Sequence, residues 1–345
     1  MDLDSFDFGA ELSEAIDHIK VWPKDGEMTA LVDGDLLPYI IGYAIKDDLW
    51  LRANYRVDSG QVASLKETPE FAEVKQRLCM TLNSWISGAG CDSAYIYLTD
   101  SAKNFRLKLA IQRAYKGTRK TEKPPFFYEM REALIELGAT LSDGEEADDL
   151  ITTHLWSEIN RLKSSGVEAG SPSHKELATL VACSKDKDIA ITSGWHYNIT
   201  SKKLEWVTVL GELYPTYKTS DKTGKVSIDK LKGDGLKFFY AQMLLGDTVD
   251  NYTGIPRIFK QEVYDLLQPC KSEQELFYAV LGAYKRKYTE TGAYIENFRG
   301  GGRMMLPYEI MLEQGRLAHM QRFKGELWRS DKAPVLWGDD ESLWK

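Results

Sequence analysis

Gly144-Glu145-Glu146-Ala147-Asp148-Asp149-Leu150 places four acids within seven residues. Ser142, Asp143 and Gly144 ahead of it read as turn and cap. Leu150, Ile151, His154, Leu155 and Ile159 recur at helical spacing, so Glu146, Asp148 and Asp149 fall in the first turn of a helix. A helix N-terminus favours carboxylates by roughly 0.3 to 1 kcal/mol each. Two of them about 4 Å apart repel by roughly 4 kcal/mol at an effective dielectric near 20, more than the helix returns. A divalent cation would turn that repulsion into ligation, whereas simple helix-start acidity needs no partner. What separates the two is whether carboxylates elsewhere terminate strand-like runs.

Outward from this stretch, three runs end that way. Met28-Thr29-Ala30-Leu31-Val32 reads as a strand and stops at Asp33-Gly34-Asp35, which is also a common turn dipeptide. Ala94-Tyr95-Ile96-Tyr97-Leu98 stops at Thr99-Asp100, and Leu180-Val181-Ala182-Cys183 at Ser184-Lys185-Asp186-Lys187-Asp188. Open α/β sheets place their chemistry at the carboxyl ends of strands. Helical periodicity occupies Phe71 to Ile86, and residues 1 to 20 read as an acidic lead-in helix.

Ser101 to Pro125 differs from its surroundings. It carries Lys103, Arg106, Lys108, Arg113, Lys116, Arg119, Lys120 and Lys123 against Glu122, with Phe105 and Tyr115 interleaved, an electrostatic footprint for phosphate. Lys218 to Lys232 is also lysine-rich but contains Asp221 and Asp229, so a surface loop and a nucleic-acid contact both remain open. Phe238 to Leu245 reads as an apolar helix running into Gly246-Asp247-Thr248-Val249-Asp250-Asn251-Tyr252-Thr253-Gly254-Ile255-Pro256, followed by a helix from Gln261 to Leu267. Such a turn can aim backbone N–H groups at a phosphate. The tail offers a basic aromatic helix around Tyr284-Lys285-Arg286-Lys287-Tyr288, a Gly300-Gly301-Gly302 loop and an amphipathic helix with Ile310, Leu317, Met320 and Phe323.

Composition frames these signals. The chain has 345 residues, 43% hydrophobic and 28% charged, with a net charge of −8, which excludes disordered and fibrous classes and leaves room for one or two cores. No apolar run approaches the roughly 20 residues of a membrane span, and the acidic N-terminus does not look like a signal peptide, so the expected location is the cytoplasm. Cys79, Cys91, Cys183 and Cys270 have no metal-ligand spacing and are expected to be reduced. His18, His154, His174, His196 and His319 form no cluster with a catalytic base.

Taken in order, the acids are Asp33, Asp100, Glu146 with Asp148 and Asp149, Asp186 with Asp188, and Asp247 with Asp250. On these motifs the chain resembles the structure-specific 5′ nucleases, the flap endonuclease family. Within it the chain is most similar to the stand-alone 5′ to 3′ exonucleases of short-tailed bacteriophages, which share Asp33-Gly34-Asp35, the Ser184 to Asp188 element, and a tail like Gln314 to Met320 ending in Leu336-Trp337. The resemblance implies an α/β fold, a mostly parallel central sheet flanked by helices, in a single body over 1–345. It implies a basic helical arch at 101–125, a helix-two-turn-helix-like region at 236–285, and a C-terminal helical extension at 286–345.

It further implies two divalent ions, usually Mg2+ with Mn2+ able to substitute. Asp33, Asp100, Glu146 and Asp148 would mainly form the first site, and Asp149, Asp186, Asp188, Asp247 and Asp250 the second. By the same likeness Lys116 and Arg119 meet the scissile phosphate, Tyr115 stacks on a terminal base, and Arg106, Arg113 and Lys120 line the arch. A K+ ion would belong to the turn after Gly254-Ile255. Here, however, Arg257 and Phe259 replace the expected glycines, so Arg257 and Lys260 are expected to grip phosphates directly. The implied activity is metal-dependent 5′ to 3′ exonuclease action on double-stranded DNA with 5′ ends or flaps, with flap cleavage and removal of RNA from RNA–DNA hybrid as extensions. A dehalogenase-type phosphatase built on Asp33-Gly34-Asp35 and Gly246-Asp247, or a catalytically silent DNA-binding module, are the alternatives.

Overall fold

The computed structural model describes residues 27–120 and 122–329. The lead-in helix expected over residues 1 to 20, His18 and Leu336-Trp337 lie outside them. Six strands make one sheet: β1 (Thr29–Asp33), β2 (Ser93–Leu98), β3 (Thr140–Leu141), β4 (Leu180–Ser184), β5 (Gly194–Asn198) and β6 (Lys203–Val207). Their spatial order is β3-β2-β1-β4-β5-β6, every pair parallel except β5 with β6. The mostly parallel α/β sheet expected from the likeness is therefore present.

Eleven helices are described: α1 (Leu36–Gly42), α2 (Asp47–Asp58), α3 (Pro69–Gly88), α4 (Arg106–Leu109), α5 (Phe127–Glu136), α6 (Ala147–Ser164), α7 (Pro172–Leu177), α8 (Gly235–Leu245), α9 (Lys260–Leu267), α10 (Glu273–Tyr288) and α11 (Pro307–Ala318). β1 is buried throughout, as a central parallel strand must be. Its side chains alternate between two cores. Ala30 and Val32 pack with Leu37 of α1, Ala53 of α2, Leu78 and Leu82 of α3 and Met130 of α5. Leu31 packs on the other face with Tyr97, Ala182 and the Ile151 and Leu155 stripe of α6.

A third core gathers the second half of the chain. Phe238, Phe239, Met243 and Leu244 of α8 pack with Val263 of α9, Phe277 of α10, and Ile310 and Leu317 of α11. α8 is buried on nearly every side, which suits its apolar sequence. Two hairpins flank this core, β7 (Leu213–Thr219) with β8 (Val226–Gly233) and β9 (Ala293–Glu296) with β10 (Gly302–Met305), both antiparallel. The lysine-rich stretch is thus a built hairpin.

Two expectations change. The segment at 101–120 is helical only over Arg106–Leu109, the rest being turns and bends, because Arg106 and Tyr115 are drawn inward and fold it onto the body. The tail over 286–329 is no purely helical appendage. Its described part holds the β9–β10 hairpin and α11, and α11 is part of the third core. Four-residue strands are too short to show a period of two against their neighbours.

All four cysteines are buried and free, and no helix among the described residues is long and apolar enough to cross a membrane. Gly34, just past β1, donates to the Tyr97 carbonyl at 2.9 Å. A Cβ there would lie 2.8 Å from that oxygen and 2.9 Å from Ile96 Cγ2. Gly34→Ala should therefore push β1 from β2 and cost about 1–3 kcal/mol, read as a lower midpoint in urea unfolding.

Candidate functional site

β1 lies between β2 and β4, so the chain crosses from one side of it to the other, and the crevice at its carboxyl end is the switch point where open sheets hold ligands. Asp33 ends the strand there. Its Oδ1 accepts from the Asp35 N–H at 3.2 Å and its Oδ2 from the Ser184 hydroxyl of β4 at 3.1 Å. The loop after β4 is pinned by its own side chains. The Asp186 N–H donates to Ser184 Oγ and the Asp188 N–H to Asp186 Oδ1, both at 2.9 Å. α6 brings Asp148 to the same place.

Burial, then repulsion from Asp35 and Asp186, push the Asp33 carboxyl up to about 8. Burial, then Asp33 and Asp186, raise Asp148 well above the carboxylate range. Asp188 rises to about 6, again from burial and then Asp186. These acids sit close together with too little positive charge among them.

The adjoining acids are better compensated. Burial opposes ionisation of Glu146, yet Lys116 and Arg106 outweigh it and hold the group down at about 2. Lys116 donates to Glu146 and lies 3.9 Å from Asp250, which Arg119 meets at 2.8 Å. The Tyr115 hydroxyl lies 2.9 Å from Glu146 Oε2 and 3.0 Å from Asp250 Oδ2. Burial nevertheless raises Asp250. Lys187 reaches Asp247 at 2.5 Å and Asp188 at 3.2 Å, and Gln242 donates to Asp188 at 2.5 Å. Asp247 ends below its ordinary value because Lys187 outweighs its burial.

Asp33, Glu146, Asp148, Asp186, Asp188, Asp247 and Asp250 therefore form one chain of electrostatic neighbours. Among the described residues, however, no three acidic, histidine or cysteine side chains converge as a ready ligand set. Lys116, Arg119 and Lys187 lie on several of the oxygens instead.

Three predicted residues, Asp149, Arg106 and Tyr115, take other roles. Asp149 is fully buried: Oδ1 accepts from Arg106 and the Gln321 N–H, and Oδ2 from Arg106 and the Glu146 N–H. With its lone pairs engaged it is a structural acid and not a metal ligand. Arg106, also fully buried, is its counter-ion and cannot meet DNA. Tyr115 is buried too, so its ring is closed to a terminal base. Asp100 makes local contacts, accepting from the Ala102 N–H at 3.1 Å and facing Lys103 at 4.0 Å.

Arg113, Lys120 and Arg257 are exposed. Arg257 adopts φ +67°, a conformation that favours glycine. Lys260 donates to the Asp229 carbonyl. The turn amides expected to face phosphate do not do so, since the Thr253 and Gly254 N–H groups donate to Gln314 Oε1 at 3.1 and 2.9 Å.

Asp35, Arg131, Ser184 and Lys187 escaped sequence reasoning as site residues. Asp35 accepts from Arg131 and, at 3.0 Å, from the Thr99 N–H. Its position two residues after Asp33 was a usable signal, as was Lys187 between two aspartates. Arg131 carried none, because it lies in an ordinary helix.

No family model and no curated protein matches the chain. Among solved structures it is similar to a bacteriophage T5 flap endonuclease in a complex with DNA and metal ions, at 14% identity and a TM-score of 0.43, covering 84% of this chain and 98% of that one. It is also similar to a bacteriophage T5 5′-exonuclease with bound zinc, at 17% identity and a TM-score of 0.39, covering 74% and 88%. At this distance nothing about the chemistry of the present residues follows from the likeness.

Two outcomes are expected from these interactions. Arg106→Ala leaves Asp149 buried and unpaired and should cost about 3–5 kcal/mol in denaturant unfolding. Asp33 and Asp148, both raised, contribute to the pH dependence in the same direction. Between its ordinary value near 4 and about 8, Asp33 binds a proton in the folded chain but not in the unfolded one, so stability falls as pH rises, by at most roughly 1.4 kcal/mol per unit from this one group. His196, buried neutral and held down to about 4, acts oppositely, but only below its ordinary value near 6.5. In chelator, thermal stability should therefore drop from pH 6.5 to 8. Asp33→Asn should make that slope shallower, and an unchanged slope would exclude Asp33 as a contributor to it.

Proposed function

We propose that the chain is a divalent-metal-dependent phosphodiesterase that shortens duplex DNA from 5′ ends in the 5′ to 3′ direction and leaves 5′-phosphate products. The observation that carries this is the set of crowded acids, Asp33, Asp148, Asp186 and Asp188, beyond the carboxyl ends of β1 and β4 and at the start of α6. Three of them have raised pKa values, and the cations Lys116 and Arg119 adjoin the group. Hard oxygen donors with excess negative charge fit Mg2+ or Mn2+. Asp33, Asp148, Asp186 and Asp188 would hold the ions, with Glu146, Asp247 and Asp250 beside them. Such ions, when bound, supply Lewis acidity toward a phosphate and a lowered pKa for water.

The chain's own groups supply the rest. Lys116 and Arg119 are the cations placed to leave carboxylate partners for a phosphate and to steady its developing charge. Arg113, Lys120 and Arg257, all exposed, suit the DNA backbone. Cleavage of flaps and of the RNA strand of an RNA–DNA hybrid extends the same chemistry. The phosphatase alternative is weaker, because Asp35, the second acid of its motif, is tied to Arg131 and the Thr99 N–H.

The test is incubation with 5′-labelled duplex, flap and hybrid substrates, with and without Mg2+, followed by sizing of the products. Metal-dependent shortening is expected from the unaltered chain, and its absence refutes the proposal. Asp186→Asn should lose at least about 10²-fold in rate, and Lys116→Ala roughly 10² to 10³-fold in kcat.

A further inference from the structure

The hairpin of β7 and β8 belongs to none of the machinery above. Its strands pair Thr216 with Lys230 but Tyr217 with Ile228, so Asp229 is an extra residue in β8. Such a bulge moves the following side chains to the other face of the ribbon. Ile228 and Leu231, three apart, consequently both turn inward to the third core, while Lys230 and Lys232 turn outward. An unbroken ladder would have sent Lys230 and Lys232 to the same side as Ile228.

The outward surface is cationic. Lys218, Lys222, Lys225, Lys230 and Lys232 stand against Asp221 and Asp229, in a chain whose net charge is −8. Lys218 pairs with Asp229 at 3.3 Å. Lys222, Lys225, Lys230 and Lys232 have no ion pair among the described residues. The bulge is fastened to the neighbouring turn, because Lys260 at the start of α9 donates to the Asp229 carbonyl. Exposed Arg257 lies three residues before Lys260 in the chain, so its turn leads directly into the point where α9 holds the hairpin. The root of the hairpin is mixed in charge, with Tyr214 donating to Asp234 at 2.8 Å near Glu212 and Glu205, Lys232 opposite Tyr214 in the ladder, and Lys237 paired with Glu212. Positive charge is therefore concentrated at the tip and toward the turn.

We propose that this hairpin is a second contact for the sugar-phosphate backbone of duplex DNA, continuous with the Arg257 turn and outside the acid cluster. The assignment of DNA as occupant rests on the nuclease reading, while the charge and shape of the surface do not. Unpaired lysines on a stiff ribbon neutralise phosphates without reading bases, so the contact adds affinity that is independent of sequence and steep in salt.

The experiment compares the unaltered chain with the triple variant Lys222→Gln, Lys225→Gln, Lys230→Gln, whose fold is checked by thermal unfolding. Binding of a fluorescent blunt duplex is titrated between 50 and 200 mM KCl, and cleavage is followed in Mg2+. The variant should bind about tenfold more weakly or worse at the lower salt. Its slope of log affinity against log salt should be shallower by roughly 2 to 3, near one for each phosphate no longer neutralised. KM should rise in step while kcat stays within about twofold. Wild-type affinity and slope in the variant overturn the proposal even if the enzyme cleaves DNA. Conversely, loss of binding by the variant upholds it even if neither protein cleaves. Weakened binding of poly-glutamate with duplex binding intact assigns the surface to an acidic protein and also overturns it.

Discussion

The Arg106 guanidinium joins three parts of the chain at one buried point. It meets Asp149 in two-pronged fashion at 2.6 and 2.8 Å, Glu146 at 3.1 Å, the Leu317 carbonyl at 3.2 Å and the His319 carbonyl at 2.5 Å. All five directions of its planar fork are thereby used, which a lysine could not do. The basic segment, the start of α6 and the end of α11 are fixed relative to one another by this one side chain. Asp149 completes the arrangement by accepting from the Glu146 and Gln321 N–H groups. Without the arginine, α6 would begin with buried charge and no counter-ion, and the acids it presents would lose their common orientation.

This clamp sorts the acidic residues into two populations. Asp149 and Glu146 are neutralised by arginine and lysine inside the protein, and Glu146 remains ionised. Asp33, Asp148 and Asp188 lack enough cationic partners, and burial with mutual repulsion raises all three. A fold that positions uncompensated carboxylates at its switch point destabilises itself locally, as ligand-binding sites do. The neutralised pair holds the geometry, and the uncompensated group carries the excess negative charge on which the proposed function rests.

The cations are divided likewise. Arg106 is structural, Lys116 and Arg119 sit at the boundary of the acid cluster, and Arg113 and Lys120 face solvent. A single basic segment thus contains an internal counter-ion, two groups adjoining the cluster and an outer electrostatic surface. The lysines of the β7–β8 hairpin extend the outer class to the far half of the chain.

The chain by itself determined that β1 ends in Asp33, that Asp186 follows closely after β4, and that α6 begins in a run of acids. Short apolar runs and helix-start signals are local, and their stops are visible in one dimension. The basic bias of 101–120 was legible for the same reason. Only the tertiary structure decided which of Asp148 and Asp149 is free. Adjacent helical residues point about a third of a turn apart, and Arg106, which selects between them, lies 43 positions from Asp149 in the chain. The inward turn of Tyr115, the capture of the Thr253 and Gly254 amides by Gln314, and the bulge that exposes Lys230 likewise depend on partners distant in sequence. Composition records that charges exist, but burial and pairing decide which are spent inside the protein and which are left for a ligand.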